Sequence, residues 1–384
     1  MKPIIWLLLG LTLLSYSCKR DSETMETPKE LIVYVGTYTS EGSEGIYVYN
    51  LQMQTGELKL LHSIGGIENP SFLAIDSKRH FLYSIHELNN YQGKRTGAVR
   101  SFKIDPKTWE LQLLSEQPSF GEHPCYVAVD KTDNYVLLAN YTSGSISMFP
   151  VQEGVLQAAS DTAQHVGSGP NERRQTGPHA HSINVSPDGR FAFAADLGID
   201  KIMIYKLDLE DGTLIPNDPP FVATAPGAGP RHFAFHPDGT FAYVINELNS
   251  TITAYRYDAQ HGRLSDLQTV GTLPDDFSGN NTCADTHVSP NGRFLYGSNR
   301  GHDSLVIFRI HPDSGELQLV GHESTRGQTP RNFAIDPTGT FLLAANQDSD
   351  SIVVFRINRE TGELQFTGHE AKASMPVCIK MIEL

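Results

Sequence analysis

The segment GPRHFAFHPDGTFAYVINE, from Gly229 to Glu247, decides the fold because the chain repeats it in varied form. It consists of an apolar run, a polar P-D-G turn and a second apolar run that opens with an aromatic residue. Such a turn between two runs of strand-forming residues predicts a β-hairpin. The five further copies are NPSFLAIDSKRHFLYSIHE from Asn69, HPCYVAVDKTDNYVLLANY from His123, HAHSINVSPDGRFAFAADL from His179, TCADTHVSPNGRFLYGSNR from Thr282 and TPRNFAIDPTGTFLLAANQ from Thr329.

Two more β-rich segments follow each hairpin, such as SIVVFRIN from Ser351 and TGELQF from Thr361. Four strands that recur every 46 to 56 residues are typical of propeller blades. MPVCIKMIEL from Met375 matches a first strand alone, and LIVYVGTYT from Leu31 matches a second strand alone. We therefore predict an all-β, seven-bladed β-propeller over residues 31–384, with four antiparallel strands per blade and one blade shared by the two chain ends.

The first 30 residues lie outside this repeat and are similar to an export signal followed by a tether. Lys2 precedes the apolar run IIWLLLGLTLL, which is too short to span a bilayer, and Cys18 follows small Ser17. A cysteine at this place resembles the lipid-attachment site of bacterial lipoproteins. We predict a signal peptide over 1–17, a lipid on Cys18 and a flexible polar tether over 18–30. The protein would then be exported, with contact to a membrane only through the lipid. The alternative is a plain signal peptide with an incidental cysteine.

The amino-acid composition limits which kinds of molecule the protein is expected to bind. The 384 residues carry a formal net charge of −14, whereas nucleic-acid binding needs clustered Lys and Arg. We therefore expect no nucleic-acid partner. Cys125, Cys283 and Cys378 are odd in number and lack metal-type spacing, so we expect buried thiols and no disulfide framework. We also expect no metal, no cofactor and a monomer.

The geometry of a propeller predicts where a site lies. First strands line the central channel and hairpin turns lie on one face, so the first-strand starts and second-strand ends meet around the channel mouth on the opposite face. Asn recurs at the second-strand ends, and a residue repeated around the ring is interpreted as structural. The charged or titratable residues that differ between blades at these positions are Glu87, His181, Arg231, Glu247, Asp285, Arg300 and Arg331.

Simpler interpretations remain for some of these residues. Arg231 and Glu247 should face each other across one hairpin, where they could form only a salt bridge. His179 and His181 alternate along an extended segment, so one of them could be only a structural hydrogen-bonding group.

Four segments resemble the seven-bladed propeller lactonase family. They are GPHAHSI (177–183), GPRHFAFHPDGTFAYVINEL (229–248), HVSPNGRFLYGSNRGHDS (287–304) and TPRNFAIDPTGTFLLAANQDSD (329–350). The family includes propeller-type 6-phosphogluconolactonases of bacteria and fungal carboxymuconate-lactonising enzymes, and the resemblance extends from Leu31 to the C-terminus. It implies a catalytic site of one His, two Arg and one Glu, which here fall on His181, Arg231, Arg331 and Glu247.

One segment departs from the family pattern. Where the resemblance leads us to expect a Glu in an AAEIH-like segment, this chain has CADTH, with Asp285 two residues before His287. A shorter carboxylate there could reshape the pocket and change the substrate.

The resemblance implies hydrolysis of a sugar-acid lactone, with the small-molecule lactone as the partner. Hydrolysis needs a proton acceptor for water, for which Glu247 or His181 is suited, and a group that stabilises the oxyanion, for which Arg231 and Arg331 are suited. The predicted substrate-binding residues are His179, Asp285, His287, Arg300, Glu87 and His123, although His123 and His287 could be ordinary hydrogen-bonded histidines at the rim. Two alternatives stay open: the reverse ring closure of a muconate, and a propeller that only binds sugar acids or a protein.

Overall fold

The computed structural model describes residues 29–383, so the predicted signal peptide, Cys18 and nearly all of the tether lie outside the described residues. Within 29–383 the chain forms seven antiparallel sheets, and the helical content is a 3₁₀ turn at Gln347–Ser349. The predicted seven-bladed β-propeller is confirmed.

The strands of each sheet run outward from the channel. The first strands are β4 (Leu73–Ile75), β8 (Pro124–Val129), β13 (Ala180–Val185), β17 (Pro230–Phe235), β21 (Thr282–Val288), β25 (Pro330–Ile335) and β29 (Pro376–Glu383). The second strands are β5 (Phe81–His86), β9 (Tyr135–Asn140), β14 (Phe191–Asp196), β18 (Phe241–Asn246), β22 (Phe294–Arg300), β26 (Phe341–Asn346) and β1 (Glu30–Thr37).

The third and fourth strands complete the blades. The third strands are β6 (Ala98–Ile104), β10 (Ser145–Gln152), β15 (Lys201–Asp208), β19 (Thr251–Asp258), β23 (Ser304–Ile310), β27 (Ser351–Ile357) and β2 (Ile46–Gln52). The fourth strands are β7 (Leu111–Pro118), β12 (Asp161–Gln164), β16 (Thr213–Ala223), β20 (Arg263–Gly271), β24 (Leu317–Ser324), β28 (Leu364–Lys372) and β3 (Leu58–Ile64). In one blade a short extra strand, β11 (Val155–Leu156), also pairs with β10.

The ring closes as the sequence predicts. The first strands contact one another in order around the channel, from β4 through to β29 and back to β4. β29 pairs antiparallel with β1, from Leu31 opposite Glu383 to Thr37 opposite Pro376. The two chain ends therefore share one blade.

Side-chain capping explains the recurrent hairpin turn. The Asp76 carboxylate accepts hydrogen bonds from the backbone N–H groups of His80 and Phe81, each at 2.7 Å, where the second strand begins. The turn also needs a left-handed residue, which glycine adopts without a steric penalty, as at Gly239 (φ +74°).

The repeated aromatic residue packs neighbouring blades together. The ring of Phe241 lies against Gly315, a turn glycine of the next blade, and Phe294 lies against Gly362 in the same way. A Cβ on either glycine would meet the facing ring at 2.3 Å, so this position has to be glycine.

The recurrent asparagines join blades by hydrogen bonds. The Asn140 side-chain amide donates to Ser119 O at 3.2 Å, and Asn299 donates to Thr272 O at 2.9 Å. Each acceptor follows the fourth strand of the preceding blade, so the structural interpretation of these residues is confirmed.

The three cysteines in the described range are buried and unpaired, as expected. Within residues 29–383, no helix is both long enough and apolar enough to cross a membrane.

The tight contact between the closing blade and its neighbour yields a prediction. A Cβ on Gly36 in β1 would lie 2.3 Å from the backbone oxygen of Pro70, which cannot rotate away. We expect Gly36→Ala to lower the free energy of unfolding by roughly 1–3 kcal/mol, the usual cost of overpacking. Gly321→Ala is the matched control, because nothing lies within 4 Å of its Cβ. Chemical denaturation measures both, and equal stability of the two variants would contradict the tight closure.

Candidate active site

A β-bulge in the first strands places the key side chains. In β13 the pairing register shifts between Ala180 and Ser182, which leaves His181 without a partner on the neighbouring strand. The same shift leaves Arg231 unpaired in β17 and Arg331 unpaired in β25. Since a bulge re-aims the residue it inserts, all three side chains point into the channel near its mouth.

Two adjoining cavities, which share four lining residues, lie at this mouth. The outer cavity, of about 270 Å³, is lined by Glu87, Cys125, Tyr141, Arg174, His181, Glu247, Thr282, Arg300 and Arg331. The inner cavity, of about 10 Å³, is lined by Tyr38, Ser71, Phe72, Glu87, Cys125, His181, Arg231, His232, Arg331 and Val377. The residues common to both linings form the border between the cavities: Glu87, Cys125, His181 and Arg331.

Glu247 is surrounded by guanidinium groups. Arg174 lies 2.6 Å from its Oε1, while Arg231 Nε and Arg300 Nη2 each lie 2.9 Å from its Oε2. Burial alone would raise the pKa of Glu247, but Arg300, Arg231 and Arg174 outweigh burial and lower the pKa to about 2. Glu247 is therefore a carboxylate at neutral pH with both oxygens engaged.

Arg231 is nearly fully buried, with 2% of its surface exposed. Burial, with the charges of Arg300 and Arg331, lowers its pKa to about 10, so it stays protonated at neutral pH. The salt bridge between Arg231 and Glu247 that the sequence left open is present, and it is one part of this larger cluster.

His181 stands between the arginines as a neutral imidazole. Burial and the charges of Arg231, His232 and Arg331 lower the pKa of His181 well below its ordinary value. Its Nδ1 lies 3.7 Å from the Cys125 sulfur. Among the described residues its Nε2 has no hydrogen-bond partner.

The opposite side of the mouth is a chain of hydrogen bonds. Arg331 Nη2 donates to the Tyr38 hydroxyl at 2.9 Å, and that hydroxyl donates to Glu87 Oε2 at 2.9 Å. The Ser71 hydroxyl donates to the same Glu87 oxygen. These contacts fix the carboxylate of Glu87 at the border of the cavities.

Asp285 lies beneath the mouth and lines neither cavity. Its Oδ1 accepts from His232 Nδ1 at 2.7 Å and its Oδ2 accepts from His287 Nε2 at 2.9 Å, with the Asn332 amide as a further donor. Although burial opposes it, His287 and His232 hold the pKa of Asp285 well below its ordinary value. Since these side chains occupy both carboxylate oxygens, the contacts favour a positioning role for Asp285.

His232 links Asp285 to the site. Since Arg231 can only donate, His232 Nε2 accepts from Arg231 Nη1 at 3.2 Å, while Nδ1 donates to Asp285. Burial and Arg231 lower the pKa of His232 to about 4, so this neutral tautomer persists at neutral pH. His232 and Asp285 together therefore hold the Arg231 side chain in place.

Three predicted histidines lie outside both cavities. His179 stacks on Tyr141 at 4.6 Å between ring centroids, His123 bonds to Thr142, and His287 packs against the Phe333 ring. The residues that the structure does bring to the cavities are Glu87, His181, Arg231, Glu247, Arg300 and Arg331. Within the described part of the chain, no three His, Cys, Asp or Glu side chains are grouped as a metal site would require.

Sequence reasoning missed Arg174, which reaches the mouth from the loop between β12 and β13. This loop, residues 165–179, is longer than the loop 224–229 that precedes β17. Gln175 fixes it, since its amide donates to Leu197 O at 2.8 Å and to Asp200 Oδ1 at 2.7 Å. The extra length of the chain before the PHAHS segment is the one feature of the sequence that could have indicated this loop. Tyr38 and Ser71 were not selected as site residues from the sequence, because neither is charged.

The chain is similar to known proteins both in sequence and in structure. The family described as "Lactonase, 7-bladed beta-propeller" matches residues 32–381. The 6-phosphogluconolactonase of Bacillus subtilis is 42% identical over 303 residues, covering 79% of this chain and 84% of that protein. The 6-phosphogluconolactonase of Formosa agariphila is 38% identical, covering 79% and 86%. The structure of the periplasmic gluconolactonase PpgL of Pseudomonas aeruginosa has a TM-score of 0.87 and 35% identity, covering 92% of this chain and 99% of that chain.

The charge of Glu247 should appear in the pH dependence of stability. Its pKa is depressed in the folded state, so its contribution is present above its ordinary pKa of 4.5 and disappears as the pH falls towards 2. We expect Glu247→Gln to lose about 3 kcal/mol at pH 7, within the range for breaking a buried ion pair. The loss should shrink between pH 4.5 and 2.

Urea denaturation at several pH values measures this gap between wild type and variant. Glu110→Gln, at an exposed position, is the control and should show no gap at any pH. A gap for Glu247→Gln that stays constant down to pH 3 would rule out the depressed pKa.

Proposed function

The chain belongs to the seven-bladed β-propeller lactonase family, and on that premise we propose that it hydrolyses a sugar-acid lactone at the channel mouth. The observation that carries the proposal is the border between the two cavities, where the Arg331 guanidinium and the neutral His181 imidazole face a space of about 270 Å³. A lactone carbonyl placed there would meet a fixed positive charge on one side.

We assign the oxyanion to Arg331. Attack by water on the carbonyl places a negative charge on its oxygen, and a preorganised cationic donor stabilises that charge most where water is excluded. Arg331 is held by Tyr38 through one nitrogen, and its side chain lines both cavities. Arg231, which lines the inner cavity, adds a second positive charge to the site.

Glu247 and its partners serve a different purpose in this proposal. Both Glu247 oxygens are engaged by guanidiniums, which disfavours it as the proton acceptor for water. We propose instead that Glu247 holds Arg174 and Arg300 at the rim, where they contact the substituents of the sugar ring. His181 then contacts the substrate through Nε2.

The relatives differ in the lactone that their names give. The protein of Bacillus subtilis is named for a phosphorylated lactone, whereas PpgL is named a periplasmic gluconolactonase. We propose that this chain is exported, as the segment before Cys18 indicates. An exported enzyme would meet phosphate-free sugar lactones, since the phosphorylated lactone is a cytoplasmic metabolite.

The location is tested by fractionation. We expect the wild-type protein in the membrane fraction outside the cytoplasm, and Cys18→Ala in the soluble fraction of the same compartment, because the variant lacks the lipid-bearing thiol. Cys378→Ala is the control that leaves the location unchanged. Wild-type protein in the soluble cytoplasm would contradict both export and lipidation.

The activity is tested with a panel of lactones that contains δ-gluconolactone and 6-phosphogluconolactone. We expect wild-type hydrolysis, with a higher kcat/KM for δ-gluconolactone. Arg331→Lys should lower kcat by roughly 10²–10³-fold, because an ammonium cannot reproduce the planar contact of a guanidinium.

The lysine in this variant keeps the positive charge, so we expect little change in thermal stability. Arg256→Lys, at an exposed position on β19, is the control that should keep full activity. No hydrolysis of any lactone by the wild type, or full activity of Arg331→Lys, would refute the corresponding part of the proposal.

A further inference from the structure

Two carboxylates line the channel mouth, and they differ in what their oxygens contact. Each oxygen of Glu247 lies within 2.9 Å of at least one arginine nitrogen. Glu87 is held through Oε2 alone, by the hydroxyl groups of Tyr38 and Ser71. Among the residues that the structure describes, Glu87 Oε1 has no hydrogen-bond partner. One carboxylate oxygen is therefore fixed in place but left available.

The inner cavity has about the size of one water molecule. Its volume is about 10 Å³, near the minimum of roughly 10–15 Å³ that a buried water needs. A buried water also needs two to four polar partners, and this cavity is lined by the side chains of Ser71, Glu87, His181, Arg231 and Arg331. The outer cavity, which can hold a ring, lies on the other side of the shared border.

We infer that the inner cavity holds the hydrolytic water and that Glu87 is the catalytic residue that takes its proton. The inference rests on the proposed function, since it specifies how the lactone is attacked. Glu87 lines both cavities, so its carboxylate can contact both a water in the inner cavity and a lactone carbonyl carbon in the outer one. Arg331 lies at the same border, where the carbonyl oxygen would become negative.

The other two proton acceptors at the mouth are less suited. Burial and the neighbouring cations lower the pKa of His181 well below its ordinary value, so the imidazole binds a proton weakly. Three guanidiniums lower the pKa of Glu247 to about 2. General-base catalysis weakens as the base becomes a poorer proton acceptor. Glu87 differs from both groups in its contacts, since one of its oxygens is held by two hydroxyl groups and the other has no hydrogen-bond partner among the described residues.

The step balances with water as the only co-reactant. The water oxygen forms a bond to the lactone carbonyl carbon while Glu87 Oε1 takes one water proton, and the carbonyl electron pair moves to the oxygen beside Arg331. The tetrahedral intermediate then collapses and breaks the bond between the carbonyl carbon and the ring oxygen. Protonated Glu87 returns its proton to that ring oxygen, which gives the open hydroxy acid and regenerates the carboxylate.

The first test is Glu87→Gln, which can still accept hydrogen bonds from Tyr38 and Ser71 but cannot take a proton. We expect kcat on δ-gluconolactone to fall by roughly 10²–10⁴-fold with KM little changed. Melting temperatures show whether each variant is folded, and Glu110→Gln serves as an exposed control with wild-type turnover. His181→Gln should retain more turnover than Glu87→Gln, because His181 contacts the substrate without taking the proton of water.

The second test distinguishes proton transfer from a structural contribution. Glu87→Ala leaves a gap where formate can supply the missing carboxylate, so we expect the rate to rise with formate concentration and not with equal chloride. The same addition should leave the rate of Glu110→Ala unchanged, because that exposed carboxylate takes no part in the reaction.

The outcomes separate the two proposals. A wild-type chain that hydrolyses no lactone overturns the proposed function and this inference with it. An active wild type overturns the inference alone in either of two cases: Glu87→Gln keeps wild-type kcat, or folded Glu87→Ala gains no rate from formate.

Discussion

The bulge near the start of β13, β17 and β25 is the constraint on which the site depends. Side chains alternate between the two faces of a strand, so an unbulged strand that packs Phe233 or Phe333 between blades would fix the direction of every residue before it. The inserted residue breaks this alternation. Arg231 and Arg331 can then point into the channel while the phenylalanines two residues later stay in the core. A single strand of six residues thus supplies a phenylalanine to the core and an arginine to the channel.

The bulges bring several cationic side chains into a small buried space. Each of these buried charges needs a negative charge nearby. A buried guanidinium without a counter-charge is costly, and Arg231 is almost fully buried. Glu247 balances it together with Arg174 and Arg300. A carboxylate that is paired with guanidiniums becomes a weaker base, because the interactions that stabilise its charge also lower its affinity for a proton. In the proposed mechanism the counter-ion and the proton acceptor are therefore two different carboxylates, Glu247 and Glu87.

The fold could be predicted from the sequence because each blade repeats the same turn, aromatic and asparagine, and because the unmatched strands at the two ends complement each other. The mouth could be predicted only in part. The distance from the turn places His181, Arg231 and Arg331 at the mouth. It places Asp285 one residue further along, level with His232 and Asn332. Asp285 does contact these two side chains below the mouth. It was expected to bind substrate because it is charged, and the sequence does not show that protein groups occupy both of its oxygens. Arg174 belongs to no repeat, since its position depends on how one long loop folds over the channel.

The polar network below the mouth connects site geometry to ring closure. Asp285 accepts from His232 on β17 and from Asn332 on β25, and Asn332 in turn accepts from the backbone N–H of Ile379 on β29 at 2.7 Å. Arg331 depends in the same way on Tyr38, which follows the other strand of the shared blade. The floor and one wall of the site therefore depend on contacts that exist only after the first and last strands have paired. A chain that has not closed its ring lacks these contacts, so the pairing of β1 with β29 is a condition for the site as well as for the fold.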